Sequence, residues 1–136
     1  MVAITVQYQG QLHCEAAHGP SGTQLTTDAP KDNQGREESF SPTDLVATAL
    51  GSCMLTIMGI AARNFGVNID GAAAHVEKNM STSPRRIGQL SVVLNIPYEF
   101  DTQMRVKLER AALACPVHKS LHPDIKIPVT FKWGHS

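Results

Sequence analysis

Cysteine and histidine make up the reactive inventory of this 136-residue chain, which holds Cys14, Cys53 and Cys115 together with six histidines. It has no Walker A loop, no dinucleotide-binding fingerprint and no nucleophile-elbow pentapeptide, so phosphate, nicotinamide and serine-hydrolase chemistry lack their usual sequence support. Cys53 sits in "SPTDLVATALGSCMLTIMGIAARNFGV", where no charged side chain stands between Asp44 and Arg63. A free cysteine among apolar neighbours usually behaves as a small hydrophobe, and Cys53 lies too far inside a helix to feel its dipole. To react it needs a nearby cation, and Arg36 is the only arginine in the first 62 residues.

Cys115 stands in "ALACPVHKSL". A residue before a helical proline can occupy an N-cap, where free amides favour a thiolate, so local physics makes Cys115 the more acidic thiol. Its alternative is to close the apolar stripe of the preceding helix. Cys14, beside His13 on an alternating strand, is read as packing or incidental. Cys115 and His118 have C-x-x-H spacing, and His118 and His122 are four apart, but structural zinc needs four ligands in recognisable pairs and no second pair exists. No metal and no cofactor is expected.

The elements that position these residues are well punctuated. Ser41 suits an N-cap, Pro42 the first helical position and Asp44 the first turn, so a helix should run from residue 42 to a left-handed stop near Gly66. Being apolar nearly all round, it needs cover on every side. Thr48, Ser52, Thr56 and Gly59 form a stripe of small side chains along it, suited to close approach by another backbone and, in so small a chain, by a second subunit. Val2, Ile4, Val6 and Tyr8 alternate with polar residues, followed by strands at about 11–17 and 23–27, an N-terminal meander. Residues 29–40 read as a loop. "VNIDGAAAHVEKNM" and "RRIGQLSVVLNIPYEF" form an antiparallel hairpin turned at residues 81–84. Asp101 caps a second helix with Met104, Leu108, Ala111, Ala112 and Cys115 on one stripe; Pro116 interrupts it, and Ile125 to Trp133 alternate as a last strand. The pattern is α+β, one domain over residues 1–136.

Twelve basic residues balance twelve acidic ones, so nothing draws the chain to nucleic acid or an anionic membrane. The uncharged run 45–62 spans roughly 27 Å as a helix, near a bilayer core, but its threonines, serine and glycines and its missing flanking belt favour a buried helix. The first residues show no secretory pattern, so the expected compartment is the cytoplasm, with thiols kept reduced.

"SPTDLVATALGSCM", followed some sixty residues later by "ALACPVHKSL", resembles the paired cysteine motifs of the OsmC/Ohr family, the osmotically inducible and organic-hydroperoxide-resistance proteins. The order of meander, long central helix, hairpin, second helix and final strand is similar too. The resemblance implies an intertwined homodimer with its central helices buried between subunits, acting as a thiol peroxidase. Cys53 would be the peroxidatic and Cys115 the resolving cysteine, with a peroxide as substrate and an external thiol as reductant. The family draws its thiolate cation from an early-strand arginine, backed by a glutamate often found in N-P-E. Here Thr43 stands in the glutamate's place and residues 1–35 hold no arginine, which marks a less characterised "SPTDL" branch. Arg36 is then the substitute cation and Glu38 its orienting carboxylate. Two other readings remain: a catalytically weak dimer binding a small apolar ligand at its interface, and a metal-binding protein.

Overall fold

The computed structural model describes residues 1–134. The chain divides into two compact units, residues 1–46 and Ala47 onward. The first holds strands β1 (Ile4–Gly10), β2 (His13–His18) and β3 (Gln24–Asp28) as the expected antiparallel meander in the order β1-β2-β3. Residues 29–40 form a loop containing one 3-10 turn, Lys31–Asn33. Its ends are fastened within the unit: the Asp28 amide donates to the Phe40 carbonyl at 3.0 Å and the Ala29 amide to the Leu12 carbonyl at 3.1 Å. Gly35 is required there, because a Cβ would lie 1.8 Å from the Ala29 carbonyl oxygen.

Helix α1 (Pro42–Asn64) starts where the sequence places it. Ser41 Oγ accepts from the Asp44 amide at 3.1 Å while Asp44 Oδ2 accepts from the Ser41 amide at 2.9 Å, a reciprocal capping box that satisfies two orphan donors. At the other end Gly66 takes φ +73°, the Val67 amide reaches the Ala62 carbonyl at 2.9 Å and the Gly66 amide the Arg63 carbonyl at 3.1 Å, a Schellman closure.

In the second unit, β4 (Ala73–Thr82), β5 (Arg85–Ile96) and β6 (Val129–Trp133) form a sheet in the order β4-β5-β6, with β4 antiparallel and β6 parallel to β5. The core is α1's Leu50, Met54 and Met58 with β5's Leu90, Val92, Leu94 and Ile96, all at most 1% exposed. Helix and sheet approach closely at Gly51, where a Cβ would meet Val76 Cγ2 at 3.0 Å. Helix α2 (Thr102–Leu113) is capped as expected, Asp101 accepting from the Met104 amide at 2.8 Å, and α3 (Pro116–Ser120) follows. The architecture is α+β.

Three of the differences from the boundaries the sequence suggests have a clear local cause. β4 starts at Ala73 rather than Val67, because Asn68 Oδ1 accepts from the Asp70 amide at 2.6 Å and Gly71 takes φ +90°, turning the chain first. It also runs on to Thr82, which shrinks the turn from residues 81–84 to Ser83 and Pro84. The alternation from Ile125 is broken by Pro128, which has no amide to donate, so before β6 begins β5 is met by a bridge at Lys126 and by the Pro128 carbonyl, which accepts from the Val92 amide at 2.9 Å.

The helix α1 is long and apolar enough to span a membrane by length and composition, with a third of that window buried within the chain. Its buried face is Ala47, Leu50, Gly51, Met54, Met58 and Ala62, while the small-residue positions Thr48, Ser52 and Thr56 are exposed in the single chain.

Candidate thiol site and a polar cavity

The second unit brings Cys53 and Cys115 together. Cys53, near the middle of α1, is half-buried; Cys115, two residues beyond the end of α2, is fully buried. The Cys53 thiol lies near enough to Cys115 to act on its titration, and all three cysteines are free. Cys115 is the N-cap of α3 with Pro116 at the first helical position, and its Sγ accepts from the His118 amide at 3.3 Å. That bond makes the C-x-x-H sequence a capping turn. Among the described residues no group of three or more His, Cys, Asp or Glu is placed to hold a metal.

The cap forms, but the acidity expected from it does not follow. Burial pushes the Cys115 thiol up from its ordinary value, the amides of His118 and Val117 pull the other way with less effect, and the Cys53 thiol adds to the rise. A one-turn helix supplies two amides; removal of all solvent outweighs them.

Arg36 and Glu38 belong to the first unit. Arg36 Nη2 donates to Gln11 Oε1 rather than to Glu38. Both residues line a cavity of about 410 Å³ with Gln9, Gln11, His13 and Asp28. Within it His13 Nδ1 lies 2.6 Å from Asp28 Oδ1, and the Asp28 side chain is only 5% exposed. Sequence reasoning passes over both. The available signal is the meander itself: His13 and Asp28 are direct partners across β2 and β3, whereas the expected third strand stops at residue 27, one short. Cys14 is half-buried and registered between Tyr8 and Thr27.

The second unit thus holds a partly exposed thiol on a long helix beside a buried thiol that caps a second helical segment. The model of the OsmC-like proteins matches residues 35–130, and the chain belongs to that family. A solved protein of Psychrobacter arcticus 273-4, named for osmotic stress induction and a detoxification response, is 46% identical over 96% of both chains, with a TM-score of 0.92. The OsmC-like protein of Mycoplasma pneumoniae is 21% identical over 99% of this chain and 98% of its own, TM-score 0.82. The organic hydroperoxide resistance protein OhrB of Bacillus subtilis is 18% identical over 97% and 98%, TM-score 0.68. The last two share the fold. No curated protein sequence matches the chain.

Proposed function

We propose that residues 1–136 form a single OsmC-like domain and that the chain is a cytoplasmic, homodimeric, thiol-dependent peroxidase. The observation that carries this reading is the proximity of a half-buried Cys53 thiol to a fully buried Cys115 thiol in a member of this family. The Cys53 thiolate attacks one oxygen of the peroxide, the O–O bond breaks, and the leaving oxygen departs with a proton as alcohol or water. Cys53 becomes a sulfenic acid. Cys115 then attacks that sulfur, water leaves, and a Cys53–Cys115 disulfide forms. Two electrons from an external thiol reductant restore both thiols. Arg36 is the proposed thiolate cation and Glu38 its carboxylate. The substrate class is organic hydroperoxides or hydrogen peroxide, in keeping with family members named for organic hydroperoxide resistance.

Rapid mixing of reduced protein with hydrogen peroxide and with cumene hydroperoxide tests this, with mass spectrometry of the product. Turnover and a Cys53–Cys115 disulfide are expected, both lost in Cys53→Ser. If Cys53→Ser consumes peroxide at the parent rate, the mechanism is wrong. The second reading, a weak catalyst that binds a small apolar ligand, draws on a cavity of about 440 Å³ at the end of α1, where Ile60, Val67 and Ile69 stand beside Arg63, Asn68 and Asp70. It predicts sluggish thiols and a saturable rise in melting temperature with an apolar ligand.

A further inference from the structure

The cavity in residues 1–46 has the construction of a ligand site in its own right. No apolar side chain lines it, and its volume of about 410 Å³ is in the range of small-molecule sites. Burying a carboxylate is unfavourable unless it is paired, and Asp28 is paired with His13. When Asp28 accepts from Nδ1–H, the imidazole is held in one orientation and Nε2 is left as its second polar atom. Arg36 and Glu38, two residues apart, bring opposite charges to the same cavity without pairing with each other; Arg36 is held by the neutral Gln11 amide. Among the described residues, all four non-glycine positions with left-handed backbone lie in the two segments bordering the cavity: Gln11 and Leu12 between β1 and β2, Gln34 and Glu37 around Arg36. That conformation is costly for L residues and persists where the surroundings over-determine it.

We infer that this cavity binds a small zwitterion, an amino acid or short peptide, whose carboxylate meets the Arg36 guanidinium and whose ammonium meets the Glu38 carboxylate. A simple anion would be attracted by Arg36 and repelled by Glu38, and a simple cation the reverse. An apolar molecule would strip water from six polar side chains and return no hydrogen bonds. A molecule carrying both charges satisfies both residues; Gln9 Nε2 already donates to Glu15 at 3.3 Å and Gln11 Oε1 accepts from Arg36, which leaves Gln9 Oε1, the Gln11 amide nitrogen and the fixed imidazole of His13 for its peptide or side-chain polar groups.

The inference goes beyond the peroxidase reading and is tested without turnover, in reduced Cys53→Ser protein, so either can fail alone. Isothermal titration calorimetry at low ionic strength would compare glycylglycine with acetate and with methylammonium. Glycylglycine should bind saturably, and each single-charge probe at least tenfold more weakly. Arg36→Gln and Glu38→Gln should each weaken glycylglycine about tenfold, the effect of one charge-assisted hydrogen bond, with circular dichroism unchanged from the parent. The proposal is overturned if millimolar glycylglycine gives no binding heat, if acetate binds as tightly as the dipeptide, or if both folded variants bind like the parent.

Discussion

At the scale of single residues, the thiol pair is asymmetric, and the asymmetry decides the order of events. Cys115 is held protonated by burial, out of reach of solvent, while Cys53 is the thiol that solvent can touch. A buried, protonated thiol is badly suited to meet peroxide first and well placed to attack a sulfenic acid beside it. In the proposed cycle, Cys115→Ser should therefore still react with one equivalent of peroxide but stop at sulfenic acid, trapped by dimedone and weighed by mass spectrometry; a parent-like rate of full turnover would refute the resolving role. The same burial has a consequence for stability. The folded-state pKa of Cys115 is above its unfolded value, so the protonated form favours folding below that unfolded value, and this contribution is lost as pH rises through it toward the folded one. Urea midpoints should fall as pH climbs above about 8.5, the ordinary thiol value, and Cys115→Ser should flatten that fall.

At the scale of elements, α1 is the most legible part of the chain, because its ends are written in local chemistry: Ser41 with Asp44 at one, Gly66 at the other. What local chemistry does not encode is pairing across distance. The parallel placement of β6 beside β5, the turn that delays β4, and the His13–Asp28 partnership all depend on register or on a side chain reaching the backbone. For the thiol site, the sequence points to Cys53 and Cys115 but speaks to their acidity only through cap and dipole; burial, a tertiary property, moves Cys115 in the opposite direction. Gly51 shows the same limit, since nothing in "ALGSC" says that Val76 and Ala74 will press on it at 3.0 and 3.4 Å from a would-be Cβ. Gly51→Leu should overpack that contact and cost about 1–3 kcal/mol by urea unfolding. A substitution that costs nothing would mean the helix and sheet are free to separate, and Gly51→Ala, where Val76 need give only a few tenths of an ångström, serves as the mild comparison.

At the scale of the whole molecule, the single chain leaves uncovered what the sequence says should be covered. Ile4, Val6 and Tyr8 on one face of β1 are each more than 60% exposed, Ile60 on α1 is 51% exposed, and the Thr48, Ser52 and Thr56 positions of α1 face outward. Scattered exposed hydrophobics are ordinary, but an alternating strand face together with a small-residue helix stripe is the pattern of surfaces that meet another copy. Small residues let two helix backbones come close, so bulk or charge on that stripe should be far more damaging than on an ordinary exposed face. For the proposed homodimer, light scattering should give twice the 14.7 kDa chain mass, and Ser52→Arg should shift the chain toward monomer and lower its melting temperature. Gln103→Glu, on the exposed surface of α2, should do neither. A parent protein that stays monomeric at high micromolar concentration would end the dimer reading, and with it the account of why α1 is apolar nearly all round. If Ser52→Arg breaks the dimer and peroxide turnover falls with it, although Cys53 and Cys115 come from one chain, the partner copy must help to hold the thiol site in its reactive form.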